Sequence, residues 1–228
     1  MSRAAHALHY PRRYAEAARI SRRARSIPGE SDFDAAYEFA GKLGITQQVD
    51  EIRWLYDLVR SERPRNVLEI GLDEGGTLFL WTRVAAPDAH VVSVDTRPVG
   101  PLRMRAPFPL ARRAFAHDRQ RVDLVMPADS HDPATLARVE ALFAGALIDF
   151  LFIDGDHSCE GVWQDFRMYS PLVRPGGLVA FHDVSQTPDR STTGVAAFWR
   201  EFTAQHETDE RVVGTQPGFG IGTYRVPR

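Results

Sequence analysis

The feature that most constrains the fold is an alternation between short apolar strands and longer helices, which begins within residues 66–95. An apolar strand over Val67–Ile70 is followed by a glycine turn, an apolar helix over Gly76–Val84 and a second strand over His90–Val94. Units of this kind place their strands side by side in a parallel sheet and pack helices on its faces. The segment therefore predicts an α/β fold.

The same alternation continues through the rest of the chain. Residues 148–153 are nearly all apolar, which is typical of a strand buried on both faces of a parallel sheet. Together the strands predict a doubly wound, Rossmann-like, mostly parallel seven-stranded sheet with an antiparallel strand near the C-terminus. A turn at Pro175–Gly177 is expected before the fifth strand. The further predicted strands are 122–125, 148–153, 178–181, 211–214 and 220–226, and the further predicted helices are 31–42, 47–60, 110–115, 133–143, 159–169 and 195–202.

The first 25 residues form a basic segment with seven arginines and one acid, Glu16. Two interpretations are open for it: an exposed arm or helix that caps the fold or contacts a partner subunit, and an Arg-rich transit peptide. We predict an N-terminal helical arm or cap over residues 1–45 and one α/β domain over residues 46–228. A homodimer formed through the N-terminal helices is a further prediction.

The composition restricts the possible partners and compartment. The chain has 228 residues, 43% of them hydrophobic, and a formal net charge of −2, which gives no general attraction to nucleic acid or anionic membranes. Its one cysteine, Cys159, excludes an internal disulfide and fits a reducing compartment. No apolar run approaches the roughly 20 residues that a membrane-spanning helix needs. We therefore predict a cytoplasmic protein that does not bind membranes and is not expected to bind nucleic acid.

The turn after the first strand indicates which nucleoside the fold binds. It has glycines at Gly71 and Gly75 but Asp73 where a dinucleotide-binding turn has its second glycine, and no phosphate-loop lysine follows. Glu69, Asp73 and Glu74 add negative charge that would repel a pyrophosphate. S-adenosylmethionine carries a sulfonium and an ammonium and has no phosphate, so it suits such a turn.

Carboxylates follow the predicted strands, where ligands bind in doubly wound sheets. Asp95 is placed to bind both ribose hydroxyls, and Asp129 with Ser130 would lie beside the adenine. Gln47 or Gln48 is a candidate for the carboxylate end of the cofactor. The predicted cofactor-binding residues are Glu69, Gly71, Gly75, Asp95, Asp129, Ser130 and Asp154.

A second cluster is predicted where the fourth and fifth strands end. Neighbouring strands lie about 4.8 Å apart, so Asp154, His182 and Asp183 should converge on one point. Two carboxylates and an imidazole suit a divalent ion. A general base must lie within hydrogen-bonding reach of the proton that it removes. His157 is the first candidate, because an imidazole ordinarily exchanges its proton near neutral pH, and Asp154 is the second.

The motifs taken together resemble a known family. Glu69-Ile-Gly71, Asp95, Asp129-Ser130 and Asp154-Gly-Asp-His157 are similar in order and spacing to class I S-adenosylmethionine-dependent methyltransferases. The segments Pro175-Gly-Gly, Phe181-His-Asp183, Gly194-Val195 and Phe198-Trp199 resemble the branch of metal-dependent small-molecule O-methyltransferases and cephalosporin-hydroxylase-like proteins.

The resemblance covers about residues 47–226 and implies a metal site. Related sugar and antibiotic O-methyltransferases place an acid after strand four and an acidic pair after strand five. Here the pair is His182-Asp183, which leaves Asp154, His182 and Asp183 as candidate ligands and both magnesium and manganese as candidate ions.

Simpler structural roles remain open for several of these residues. Asp156 and His157 could cap the helix that follows them, and His182 could pack beneath the sheet. Trp199 is expected to pack between helices, with a role in the acceptor pocket as its alternative. Six histidines are expected to be surface residues: His6, His9, His90, His117, His131 and His206.

The predicted function is S-adenosylmethionine-dependent, divalent-metal-assisted O-methylation of a hydroxyl on a small molecule, either a natural product or a sugar. One alternative is a non-heme metal oxygenase-like enzyme on the same fold. Its iron(II) facial triad would be His157, His182 and either Asp154 or Asp183. Another is a methyltransferase directed to nucleic acid by the basic arm. Residues 97–120 and 185–193 and the N-terminal arm are expected to shape the acceptor pocket. A solvated basic face is expected for four arginines, with an anionic acceptor or partner as the alternative: Arg103, Arg105, Arg112 and Arg113.

Overall fold

The computed structural model describes residues 3–96, 107–185, 193–213 and 219–228. Parts of the segments that were predicted to shape the acceptor pocket, residues 97–106 and 186–192, lie outside these ranges, as does Gly214 in a predicted strand. The arginines Arg103 and Arg105 lie there too.

The described residues form one seven-stranded sheet, and the predicted Rossmann-like α/β fold is confirmed. The strand order is β3-β2-β1-β4-β5-β7-β6. The first five strands run parallel, and β7 is antiparallel to both β5 and β6. The strands are β1 (Asn66–Ile70), β2 (His90–Val94), β3 (Arg121–Val125), β4 (Ile148–Ile153), β5 (Val173–His182), β6 (Thr208–Arg211) and β7 (Ile221–Arg225).

Helices connect the parallel strands, and side chains fix where two of them begin. Asp132 accepts a hydrogen bond from the Ala134 amide, with Pro133 in the first turn, and Ser158 accepts one from the Gly161 amide. The helices are α1 (Arg3–Arg25), α2 (Phe33–Lys42), α3 (Val49–Glu62), α4 (Gly76–Val84), α5 (Pro107–Arg113), α6 (Pro133–Phe143), α7 (Cys159–Tyr169) and α8 (Thr193–Thr203), and a 3₁₀ turn spans Ser170–Leu172.

Two predicted strand boundaries are wrong. β5 starts at Val173, so Pro175–Gly177 lies within the strand rather than in a turn before it. The pairing of β4 with β5 shifts in register between Ile148 and Phe150. Gly176 has a φ of +76°, so the strand contains a local irregularity at the Pro-Gly pair and then continues. β6 ends at Arg211 where a strand was predicted to begin, because this exposed edge strand has no apolar alternation to mark it.

The two faces of the sheet carry separate apolar cores. Helices α2, α3 and α4 cover one face, and α6, α7 and α8 cover the other. Buried residues from the end of α1 and from α2 belong to the first core, and the Phe39 ring lies 4.6 Å from the Phe79 ring. The domain boundary near residue 45 stays a prediction. No helix in the described part of the chain combines the length and apolar character of a membrane span.

Candidate functional site

A cavity of about 760 Å³ opens where β1 to β5 end. This is the edge at which doubly wound sheets bind ligands. The wall of the cavity combines the glycine turn after β1, the ends of β2 to β5 and the segment between α2 and α3. The lining residues are Gly44, Ile45, Thr46, Gln47, Ile70, Gly71, Leu72, Asp73, Glu74, Gly76, Thr77, Val94, Asp95, Thr96, Ala128, Asp129, Ser130, His131, Asp154, Gly155, Asp156, His157, His182, Asp183 and Phe219.

The glycine turn brings two strand ends into contact. Gly71 has a φ of +95°, and a Cβ there would overlap the carbonyl oxygen of Asp154. Gly75 has a φ of +85° and precedes the first turn of α4, which directs backbone amides toward the cavity edge. Both predicted glycines are therefore required by the backbone itself.

Asp95 ends β2 and holds the glycine turn. Its Oδ2 accepts hydrogen bonds from the amides of Leu72, at 2.8 Å, and Asp73, at 2.9 Å. The residue is 9% exposed and lines the cavity, at the position that the sequence predicts for the ribose. Its carboxylate is thus fixed before any ligand arrives.

Glu69 occupies a different place from the other predicted cofactor residues. It is fully buried, and its carboxylate accepts hydrogen bonds from Trp81 Nε1 at 3.0 Å and Ser93 Oγ at 2.7 Å. Burial raises its pKa to about 8, and the surrounding donors offset only part of that increase. Glu69 joins β1, β2 and α4 beneath the turn and is absent from the cavity wall formed by described residues. Its role as a cofactor contact stays a prediction.

The end of β3 supplies Asp129, Ser130 and a histidine. Asp129 Oδ1 accepts a hydrogen bond from the His131 amide at 2.9 Å, and Ser130 is buried. His131 was expected at the surface, but its ring lines the cavity and is 20% exposed. Its position directly after the predicted Asp129-Ser130 pair is the sequence signal that could have revealed it.

The structure brings Asp154, His182 and Asp183 together. Nδ1 of His182 lies 3.2 Å from Asp154 Oδ1 and 3.2 Å from Asp183 Oδ1, and one ligand atom from each residue fits within 4.8 Å. Burial raises the pKa of the Asp183 carboxyl, and the Asp154 charge adds to that increase. Burial favours a lower pKa for His182, but the two carboxylates outweigh it and raise the pKa. The raised pKa of Asp183 shows that burial and the neighbouring Asp154 charge disfavour its ionised form, whereas the raised pKa of His182 shows that the two carboxylates favour a positive charge between them.

Two further side chains complete this end of the cavity. Gln47 Nε2 donates to Asp154 Oδ2 at 2.7 Å, so the glutamine fixes the carboxylate from the opposite wall. His157 is 41% exposed, and its Nδ1 lies 3.2 Å from Asp183 Oδ2. His157 is therefore the more exposed side chain of this contact, since Asp183 is only 5% exposed.

Two charged residues that support the site were not identified from the sequence. Glu51 on α3 is fully buried and accepts hydrogen bonds from the amides of Val213 and Gly220, both at 2.8 Å. Arg112 on α5 is buried and donates to the Glu74 carbonyl from Nε at 3.0 Å and from Nη2 at 2.7 Å. The expectation of a solvated face is therefore wrong for Arg112, because its guanidinium holds the glycine turn.

The remaining candidates have structural roles. Asp156 accepts a hydrogen bond from the Ser158 amide at 2.8 Å, while Ser158 itself caps α7. Trp199 is buried and donates to Glu210 Oε2 at 2.6 Å. His90 and His117 are partly buried rather than exposed.

Comparison with known proteins identifies the family. A family described as a methyltransferase domain matches residues 68–184, half of the chain. The chain belongs to this methyltransferase family. The matched segment runs from β1 to just beyond β5 and so contains most of the cavity wall. The predicted identity as a class I S-adenosylmethionine-dependent methyltransferase enzyme is confirmed at the level of family and fold.

Solved structures of other proteins share the fold. An O-methyltransferase from Bacillus cereus in complex with SAH has a TM-score of 0.60 at 20% identity, over 86% of this chain and 92% of that one. TomG from Streptomyces achromogenes, an O-methyltransferase of tomaymycin synthesis in complex with SAM, has a TM-score of 0.58 at 19% identity, with the same coverage. MycE of mycinamycin biosynthesis, in complex with Mg, SAH and mycinamycin VI, has a TM-score of 0.55 at 18% identity, over 85% of this methyltransferase and 53% of MycE.

Curated relatives add little about function. An uncharacterized protein of Sinorhizobium fredii is 28% identical over 150 residues, which are 64% of this methyltransferase and 16% of that protein. An uncharacterized protein of Acanthamoeba polyphaga mimivirus is 43% identical over 54 residues, 24% of each chain. This chain therefore spans less than a quarter of the length of both relatives.

Proposed function

We propose that this methyltransferase is an S-adenosylmethionine-dependent, divalent-metal-assisted O-methyltransferase that acts on a hydroxyl of a small natural product or sugar. The observation that carries the proposal is that one cavity joins the glycine turn and Asp95 to the cluster of Asp154, His182 and Asp183. A methyl donor and an activated hydroxyl must meet for transfer, and a continuous cavity allows this.

The donor end of the cavity suits S-adenosylmethionine. The glycine turn and Asp95 together offer acceptors for ribose hydroxyls, and Asp73, Glu74 and Asp154 add negative charge that favours a sulfonium. The Bacillus cereus enzyme and TomG are described in complex with SAH and SAM, which supports the same cofactor here. S-adenosylmethionine supplies an electrophilic methyl group when bound.

The donor set at the other end fits a divalent ion. Asp154 and Asp183 would contribute oxygen ligands and His182 a nitrogen ligand, a set compatible with magnesium or manganese. A cation held there would stabilise negative charge on an acceptor oxygen. MycE is described in complex with Mg, which supports a metal-assisted route.

His157 is the proposed general base. Its ring is 41% exposed, and its Nδ1 lies 3.2 Å from Asp183 Oδ2. Its Nε2 lies 3.8 Å from Asp154 Oδ1, beyond hydrogen-bonding distance, so Nε2 is the nitrogen left to accept a proton from the hydroxyl. Asp154, the second candidate, is held by Gln47 and His182 and is better placed as a ligand. Family membership favours methyl transfer over the oxygenase alternative.

The proposal predicts that binding of the cofactor and transfer of the methyl group can be separated by mutation. Asp95→Ala removes the carboxylate that orders the glycine turn, so we expect affinity for S-adenosylhomocysteine to fall at least about a hundredfold, measured by isothermal titration calorimetry. Asp183→Asn should leave that affinity within about threefold of wild type and reduce transfer to a panel of hydroxylated acceptors by about a hundredfold or more.

Glu160→Gln, on the exposed side of α7, is the matched control and should behave as wild type in both assays. Wild-type protein that fails to bind S-adenosylhomocysteine would contradict the donor assignment. If complete chelation leaves the rate of methyl transfer unchanged, and added magnesium or manganese does not increase it, the metal is removed from the proposal. Methyl transfer itself would still stand.

A further inference from the structure

Gln47 is a buried side chain of the cavity wall whose amide group is only half satisfied. It lies between α2 and α3, is 6% exposed, and its Nε2 donates to Asp154 Oδ2 at 2.7 Å. Its Oε1 is buried and has no hydrogen-bond partner among the residues that the structure describes. A buried acceptor without a partner lowers stability. The fold therefore gains little from this amide, and the part of Gln47 that serves the site is the donor on Nε2.

The hydrogen bond from Gln47 occupies one oxygen of the Asp154 carboxylate. Asp154 Oδ1 lies 3.2 Å from His182 Nδ1, within the cluster whose atoms could hold a metal ion, whereas Asp154 Oδ2 is the atom that accepts from Gln47. The glutamine amide is neutral, so it fixes the carboxylate without adding charge to the cluster. The carboxylate is thus oriented with one oxygen beside His182 and the other held by Gln47.

The Asp183 carboxylate is arranged in the same way. Its Oδ1 lies 3.2 Å from His182 Nδ1, and its Oδ2 lies 3.2 Å from His157 Nδ1. Each of the two carboxylates therefore has one oxygen beside His182 and a second oxygen engaged by a neighbouring side chain. The inference rests on the proposed function, in which this cluster binds a divalent ion. Such an ion would meet one oxygen from each aspartate rather than both.

The number of oxygens that a site offers separates the divalent ions, because these ions differ in size and in coordination number. Calcium takes about six to eight oxygen ligands and often binds both oxygens of a carboxylate. Magnesium requires an octahedral shell, keeps several waters and is bound by few carboxylates, and manganese also takes an octahedral shell. A cluster that offers one oxygen from each carboxylate therefore favours magnesium and manganese, whereas an additional free oxygen would favour calcium.

We propose that Gln47 is a positioning residue that makes the metal site selective against calcium, because its amide keeps Asp154 Oδ2 from binding the ion. Loss of this donor frees Oδ2, so Asp154 can then present both oxygens to a larger ion. The Asp154 side chain is 15% exposed and lines the cavity, so water can replace the lost hydrogen bond. Removal of the amide should therefore change which ion binds while the fold stays intact.

The test measures binding of Mn²⁺ and Ca²⁺ to the full chain. The electron paramagnetic resonance signal of free Mn²⁺ gives the Mn²⁺ affinity, and displacement of bound Mn²⁺ by added Ca²⁺ gives the Ca²⁺ affinity. Wild type should prefer Mn²⁺ by about a hundredfold or more. Gln47→Met keeps the length of the side chain but has no donor. It should lower this preference about tenfold, chiefly through tighter binding of Ca²⁺, without lowering the melting temperature.

Gln48→Met is the matched control, because the Gln48 side chain makes no capping hydrogen bond to α3 and is absent from the cavity wall formed by described residues. It should keep the wild-type preference. An unchanged preference in Gln47→Met would overturn the inference, since Asp154 would then present the same oxygens without the amide.

Two further variants keep the test decisive. Should Gln47→Met fail to fold, Gln47→Asn takes its place, because its amide is one methylene shorter and cannot reach Asp154, and an unchanged preference there would also overturn the inference. Asp183→Asn should abolish tight Mn²⁺ binding, and retained binding would place the ion outside this cluster and overturn the inference. If wild type binds neither ion, the metal part of the proposed function fails and the inference with it.

Discussion

At the residue scale, the protein buries ionisable side chains and surrounds each of them with different polar partners. Glu69 has donors from α4 and β2, and Asp165 has a histidine at its side. Burial raises the pKa of both carboxyls, to about 8 for Glu69 and about 6 for Asp165. These two groups therefore link the stability of the fold to pH.

Replacement of Glu69 by glutamine should change how stability depends on pH. The carboxyl binds a proton below about pH 8 in the native state, but only below its ordinary pKa of 4.5 in the unfolded state. The native state thus holds an extra proton between those values, and stability falls as pH rises through this window. Glu69→Gln removes the effect, so its free energy of unfolding relative to wild type should rise by up to about 4 kcal/mol between pH 4.5 and pH 8.5.

Urea denaturation of both proteins at a series of pH values measures the difference between their free energies of unfolding. Contributions from other ionisable groups are common to both proteins and cancel in this difference. Glu38→Gln replaces an exposed carboxylate on α2 that pairs with Lys42 and is a suitable comparison, because it lies outside both cores. Parallel curves for wild type and Glu69→Gln would show that the Glu69 carboxyl has an ordinary pKa in the folded protein.

At the element scale, the sequence predicts the features that depend on the periodicity of apolar residues and on where strands end. The parallel strands and the convergence of Asp154 with His182-Asp183 follow from where apolar runs stop, and the structure has them at those positions. β6 was predicted at the wrong residues because an exposed edge strand does not need alternating apolar and polar residues. His131 and Glu51 were missed because their roles depend on partners brought together only by tertiary packing, such as the contact between Glu51 and Gly220.

Glu51 on α3 holds two described residues between β6 and β7, Val213 and Gly220. Its carboxylate accepts hydrogen bonds from the amides of Val213 and Gly220. Gly220 follows Phe219, which lines the cavity. Glu51→Gln retains one acceptor oxygen and cannot hold both amides equally. We expect hydrogen exchange at residues 213 and 220 to accelerate about tenfold or more, since hydrogen bonds to charged groups contribute about 1.5–3 kcal/mol.

Asp50→Asn, the exposed neighbour on the same helix, provides the comparison and should leave both amides as slow as in wild type. Unchanged exchange in Glu51→Gln would indicate that contacts other than this carboxylate protect the Val213 and Gly220 amides.

At the scale of the whole molecule, Arg83 joins the N-terminal segment to the α/β sheet. Its side chain is fully buried, with Nη1 donating to the carbonyls of Ala24, at 3.3 Å, and Ile27, while Nη2 donates to Phe115. Burial lowers its pKa to about 10, so it stays charged at neutral pH. No carboxylate pairs with it within the described residues. The carbonyl ends of α1 and α5 supply the negative potential instead, because cations are favoured near helix C-termini.

Replacement of Arg83 should therefore loosen contacts that are distant along the chain. Arg83→Met fills a similar volume but leaves the carbonyls of Ala24, Ile27 and Phe115 without their donor, and should lower the free energy of unfolding by about 3 kcal/mol. Limited proteolysis should become faster around residues 24–30, while sites in α7 should remain protected. Arg83→Lys keeps the positive charge, but a single ammonium group cannot donate to all three carbonyls. Its free energy of unfolding should therefore lie between those of wild type and Arg83→Met. If Arg83→Met is as stable as wild type, water satisfies these carbonyls, and packing of Ala24 and Ile27 alone holds the N-terminal segment in place.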